Sequence, residues 1–175
     1  MSAHLPSAVI ARLEPLLLPR RIQRMRAVLA TRTDHVAFVF ERMTDPHNLS
    51  AALRSLEAFS FQDAHWIAPG EKLGLSHLIT RGTERWLSLH LHPDAQACVA
   101  ALRGHGYAIY ASQVPPAGAA GEGGAGEPDH GGAGVPLHAL DLSRRTALLF
   151  GNEHAGVTPE LLALADGSFH IATLG

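Results

Sequence analysis

Short apolar runs alternate with helix-patterned segments along most of this chain, and that alternation limits what it can fold into. Val36-Ala37-Phe38-Val39-Phe40 is apolar at every position, the pattern of a strand buried on both faces. Asp45-Pro46 then opens a helix, with Asp as the cap and Pro as the first helical residue. Leu49, Ala52, Leu53, Leu56 and Phe59 share one side of it. Further strands are expected at 64–68, closed by Pro69-Gly70, and at 86–91, 107–112, 146–150 and 169–171. Further helices are expected at 93–102, ended by Gly104, and at 159–165, opened by a Thr158 cap. Strands alternating with helices give an α/β fold, a mostly parallel sheet with helices on both faces.

Two segments stand outside the alternation. Residues 1–32 form a basic helical extension, and 33–175 form the α/β domain. After a proline-punctuated start, Ile22, Met25, Ala27, Val28 and Leu29 supply the apolar side of a helix. Arg20, Arg21, Arg24, Arg26 and Arg32 cover much of the rest. These arginines make the local charge strongly positive in a chain of net charge −2, in which every basic residue except Lys72 is arginine. Residues 115–136 are rich in glycine and alanine and poor in large apolar side chains. They read as a flexible surface insertion. A phosphate loop is disfavoured there, because the stretch lacks GxxxxGK[ST] and does not open into a helix.

At 175 residues and 46% hydrophobic, the chain can bury a real core. No apolar run approaches the roughly 20 residues that span a bilayer. The N-terminus shows no secretory signal pattern, so a cytoplasmic protein without membrane attachment is expected. The single cysteine, Cys98, excludes an internal disulfide and a cysteine-cluster zinc site. It reads as buried and inert on the apolar side of its helix. Of the 12 histidines none forms a helical HxxxH pair, and His90-x-His92 lies on a strand without a third candidate ligand nearby in sequence. No metal is therefore expected.

The segment Asp45 to Phe59 follows the carboxyl end of a strand, where open α/β sheets place ligand sites. Asn48 can donate and accept, and Arg54 carries a planar fork suited to phosphate. Composition alone supports a capped amphipathic helix with a solvated Asn and Arg at least as well.

The wording of the segment is more specific. Pro46-His47-Asn48-Leu49-Ser50-Ala51 followed by Arg54 resembles the first motif of the SpoU (SPOUT superfamily) RNA ribose 2′-O-methyltransferases, closest to the tRNA guanosine 2′-O-methyltransferase branch. Thr80 to Trp86 resembles the family's segment before its central strand. Leu148-Leu149-Phe150-Gly151-Asn152-Glu153-His154-Ala155-Gly156-Val157 resembles the second motif. Ala163 to Asp166 and His170 to Gly175 resemble the approach to the third. The similarity spans about residues 20–175, in order, with the glycine-rich insertion as the main departure.

The resemblance implies a SPOUT-type fold with a C-terminal trefoil knot, working as a homodimer. It implies S-adenosylmethionine as cofactor, held at the positions of Ser112, Gly151, Ile171 and Leu174. For Ile171 and Leu174 the residues alone fit core packing equally well. The implied reaction is methyl transfer to a ribose 2′-OH of tRNA, at the D-loop guanosine 18. A 2′-OH marks RNA, so DNA is not a substrate. Arg54 would clamp phosphate and ribose and assist deprotonation. Asn48 would orient Arg54 and the ribose, and Glu153 would organise the catalytic loop or hold Asn48. The arginines at 20, 21, 24, 26 and 32 would grip RNA, or else form a solvated helix face. The family's third motif continues past the position matching Gly175, so the expectation is of a chain lacking the last part of the knot. Ribosomal RNA methylation, or RNA binding without catalysis, are the alternatives.

Overall fold

The computed structural model describes residues 7–68, 86–114 and 134–171. Thr80 to Arg85, most of the glycine-rich segment and Leu174 lie outside the described residues. The strands are β1 (Val36–Glu41), β2 (Asp63–Ile67), β3 (Ser88–His92), β4 (Ala108–Ser112), β5 (Val135–Pro136), β6 (Thr146–Phe150) and β7 (Gly167–His170). The helices are α1 (Ser7–Leu13), α2 (Pro19–Thr31), α3 (Pro46–Ala58), α4 (Ala95–Gly104) and α5 (Pro159–Leu164), with single 3-10 turns at Glu14–Leu16 and Leu137–Ala139. None of the described helices is long and apolar enough to cross a membrane.

The seven strands form one sheet in the order β3-β2-β1-β6-β4-β7-β5, and each ladder is parallel. Alternate residues of β1 feed two cores, as a strand covered on both faces must. Ala37 and Val39 join Cys98, Val99 and Leu102 of α4 and Leu161 of α5. Phe40 joins Leu49, Leu53 and Leu56 of α3, with Trp66 from β2. Those three leucines are at most 5% exposed. Each contributes about 1.5–3 kcal/mol by leaving water, which holds α3 on the sheet.

The helix starts are set by side chains. Asp45 accepts from the His47 N–H at 2.8 Å, Asp94 from that of Ala97 at 2.7 Å, and Thr158 Oγ1 from that of Leu161 at 3.4 Å. Thr158 is itself tied to β1. Glu41, only 3% exposed, accepts from its N–H at 2.9 Å and its hydroxyl at 2.6 Å. This pins the end of the 151–158 loop to the sheet.

Several sequence expectations shift. The third strand lies at Ser88–His92 rather than 86–91, because its partner β2 fixes the register at Asp63 against Ser88. Helix α4 runs through Gly104, and the left-handed residue that turns the chain is Gly106, at φ 78°. Phe59 leaves the apolar face of α3. It sits past the last helical residue and is 74% exposed. Val135 and Pro136, at the end of the stretch expected to be an insertion, pair with Phe169 and His170 as an edge strand.

Helix α2 buries no residue, and Leu18, Met25 and Leu29 on its apolar side are exposed. Arg20, Arg21 and Arg24 face solvent, and Arg26 pairs with Glu14 at 2.6 Å. Arg32 does not belong with them. Its side chain is 5% exposed, ion-pairs with Glu57 at 3.1 Å and donates to the Phe61 carbonyl at 2.8 Å. Its guanidinium anchors the end of α2 to the α3–β2 connection and is not available to a phosphate.

Candidate active site

Two loops meet beyond the carboxyl ends of β1 and β6. The first leads from β1 into α3. Arg42 adopts φ 52°, a left-handed conformation costly for a residue with a Cβ. Its N–H donates to the Ile67 carbonyl at 3.0 Å, and its own carbonyl accepts from the Asn152 amide at 2.8 Å. The second loop follows β6. Asn152 and Gly156 exchange backbone hydrogen bonds at 3.0 and 2.9 Å, closing a tight hairpin. Asn152 Oδ1 accepts from the N–H groups of His154 and Ala155, which stiffens the tip.

Gly151 is required where this hairpin leaves the strand. A Cβ there would lie 2.0 Å from the Gly156 carbonyl carbon and 2.2 Å from the Val157 nitrogen. Only glycine permits that approach.

Glu153 joins the two loops. Asn48 Nδ2 donates to its Oε1 at 3.1 Å, while Thr44 Oγ1 and Asn152 Nδ2 donate to Oε2 at 3.4 and 3.3 Å. Its own backbone N–H, then the Asn48 amide, favour the charged form and hold the carboxyl well below its ordinary range, at about 2. The group is therefore a permanent anion at neutral pH and serves as an acceptor that fixes Asn48.

Arg54 lies further along α3, on its exposed side. Among the described residues its guanidinium makes no hydrogen bond or ion pair. Asn48 makes no hydrogen bond with Arg54 within the described residues and is instead held by Glu153, one of the two roles expected of that glutamate. The two residues stand on one helix, Asn48 fixed by Glu153 and Arg54 exposed further along.

Beside the hairpin lies an open cavity of about 640 Å³. Its lining includes Ser112 at the end of β4, Phe150 and Gly151 at the end of β6, Asn152, Leu162 and Ile171. Ser112, Gly151 and Ile171, three of the four positions expected to hold a cofactor, thus share one cavity. Ile171 is 52% exposed and lines it instead of joining the core. Sequence reasoning missed Thr44, Asn152 and Arg42, whose hydrogen bonds assemble the site. A Thr just before an Asp-Pro cap, and an Asn after the glycine ending a strand, were the available signals.

A parallel α/β sheet with a glycine-dependent hairpin and a cavity at its carboxyl edge defines a ligand-binding enzyme scaffold. The chain belongs to the SpoU rRNA Methylase family, which matches residues 35–175. It is 30% identical to the tRNA (guanosine(18)-2′-O)-methyltransferase of Thermus thermophilus over 155 residues, covering 89% of this chain and 72% of that protein. Among solved structures, the TrmH/SpoU tRNA modifying enzyme of A. aeolicus superposes with a TM-score of 0.69 at 23% identity, covering 89% of this chain and 72% of that one. An AdoMet-bound rRNA methyltransferase from Sinorhizobium meliloti gives a TM-score of 0.60 at 20% identity, covering 85% and 52%. Both structures share the fold.

Proposed function

We propose that this protein transfers a methyl group from S-adenosylmethionine to the ribose 2′-OH of guanosine 18 in the D-loop of tRNA. The hydrogen bond from Asn48 to Glu153 carries the reading. It brings the polar start of α3 against the hairpin that lines a cofactor-sized cavity, and the same helix carries the exposed Arg54. The kinship with the Thermus enzyme supports tRNA over ribosomal RNA.

The cavity suits the cofactor. Its volume falls in the range of small-molecule sites. Backbone is brought close at Gly151, and Phe150, Val157 and Leu162 offer apolar surface to a purine. Ser112, Gly151 and Ile171 would hold it, with Leu174 from the third motif. When bound, S-adenosylmethionine supplies a methyl group activated on a sulfonium centre. Arg54 clamps the RNA phosphate and ribose and assists passage of the 2′-OH proton to solvent as the oxygen gains the methyl. Arginine's very high pKa makes it a poor free base, so its main contribution is position and charge. Glu153 holds Asn48 against the ribose. The protein is cytoplasmic and works as a homodimer of the SPOUT type. The exposed apolar side of α2 supports pairing with a second copy.

The deciding experiment incubates the protein with radiolabelled S-adenosylmethionine and unmodified tRNA, then maps the methylated ribose. A 2′-O-methyl group at guanosine 18 is expected. Binding of tRNA without transfer, or transfer to ribosomal RNA in a parallel incubation but not to tRNA, would overturn the assignment.

Helix α2 holds RNA phosphates through Arg20, Arg21, Arg24 and Arg26. Arg24→Ala or Arg26→Ala is expected to weaken tRNA binding and to reduce the salt slope by about 0.7–0.9 for each phosphate left without its arginine. Affinity measured across a salt series checks this, and an unchanged slope would mean that α2 does not touch the RNA backbone.

A further inference from the structure

Away from this site, β2, β3 and α4 bring His65, His92 and Cys98 together. One ligand atom from each lies within 4.8 Å of the other two. His65 Nδ1 and His92 Nε2 are 2.9 Å apart, although the residues are separated by 27 positions in sequence. Parallel pairing explains the approach. His65 sits opposite His90, and His92 follows on the same face of β3. That face is covered by α4, whose inward side carries Cys98 at 0% exposure.

We propose that His65, His92 and Cys98 form a site for one thiophilic divalent metal ion, with zinc the best fit. Two imidazoles and a thiolate are borderline-soft donors of the kind zinc takes, and a fourth position completes the tetrahedron. At ordinary bond lengths of about 2.1 Å to nitrogen and 2.3 Å to sulfur, ligand atoms lie roughly 3.3–3.6 Å apart. From separations of up to 4.8 Å, the cluster needs a small opening of the His65–His92 contact and an approach of about 1 Å toward Cys98. His92, half-buried on the edge strand, can turn to provide it. An adjoining cavity of about 560 Å³, lined by His65, His90 and His92, offers a water molecule for the fourth position.

Neighbouring groups already orient the cluster. The His90 ring stacks on that of His65, with centroids 4.4 Å apart, and its Nε2 lies 2.9 Å from Asp63 Oδ1. Burial, reinforced by the adjacent imidazoles, disfavours the charged form of His65. Burial pushes the Cys98 thiol up to about 12. Forming the metal–sulfur bond releases the Cys98 proton to solvent. The ion would tie edge strand β3 to β2 and α4. The ligands come from three elements, which is why no metal motif is visible in the sequence.

The test titrates the untagged, metal-free full chain with cobalt(II) as the optical probe, followed by competition with zinc. One ion per chain is expected, with an intense near-ultraviolet thiolate-to-cobalt band that zinc abolishes. His92→Gln and Cys98→Ala should each weaken binding by about 100-fold or more, at least the upper end of what loss of an outer partner costs. Cys98→Ala should also remove the band. His138→Gln, at an exposed position, should change neither. Circular dichroism checks that each variant is folded, and the wild-type spectrum stands even where a variant is not. Absence of the thiolate band in the wild-type protein would overturn the proposal. So would a folded His92→Gln variant that binds cobalt as tightly as the parent.

Discussion

Replacing Arg54 with alanine is expected to lower kcat for methyl transfer by about 10³-fold while leaving the melting temperature essentially unchanged. The two halves of that statement rest on different observations. Stability is spared because the side chain is exposed, on the side of α3 away from Leu49, Leu53 and Leu56, and is tied to no described neighbour. Exposed substitutions of this kind usually stay within about 0.5 kcal/mol, and alanine is the better helix former. Activity is expected to fall because, in the proposed reaction, the exposed Arg54 guanidinium of α3 is the group that meets the RNA phosphate and ribose. Removing a donor that meets developing charge typically costs about 10²–10³-fold, and phosphate clamping adds to that. The kinetic pattern matters as much as the size. A group acting in the transition state lowers kcat, whereas a group that merely holds RNA raises KM. Arg54→Lys keeps the charge but not the planar fork, so partial recovery at most is expected. Single-turnover assays with saturating tRNA measure the chemical step, and wild-type turnover by Arg54→Ala would remove Arg54 from the catalytic role.

The regular elements were largely legible from sequence because their signals are local. The run Val36 to Phe40, the Asp45-Pro46 start and the Thr158 cap each depend on residues within one turn or one strand. What shifted depends on partners far away in the chain. The bounds of β3 follow β2, and the edge strand at Val135–Pro136 exists only because β7 is there to pair with it. Arg32 illustrates the same limit for a charged residue. Its spacing places it with the basic side of α2, yet Glu57 and the Phe61 carbonyl claim it. In the site, the second-motif glutamate and Asn48 could be singled out as polar residues after strands. Their contact spans 105 positions and needs β1 and β6 as neighbours. The His65–His92–Cys98 cluster is the extreme case, since strand pairing and helix docking must both be known before its members meet.

Gly151→Ala is the substitution expected to damage the cofactor cavity most. The added methyl would meet the Gly156 carbonyl carbon at 2.0 Å, its oxygen at 2.2 Å and the Val157 nitrogen at 2.2 Å. All three are backbone atoms, so no side chain can turn away, and the hairpin itself must open. Opening it breaks the paired Asn152–Gly156 hydrogen bonds and draws Glu153 away from Asn48. Overfilling of this kind costs about 1–3 kcal/mol of stability. The larger consequence is functional, because the same hairpin lines the cavity that would hold S-adenosylmethionine. Calorimetry is expected to show cofactor affinity falling by about 100-fold or more, as 2–3 kcal/mol of reorganisation charged to binding would produce. Gly104→Ala provides the control. Nothing lies within 4 Å of its Cβ position and it is helical, so stability should hold or rise slightly and binding should not change. The variants also separate the two halves of the site, since Arg54→Ala should bind cofactor like the parent whereas Gly151→Ala should not. Cofactor affinity within threefold of wild type in Gly151→Ala would show that the hairpin can open without cost and that this cavity does not hold the methyl donor.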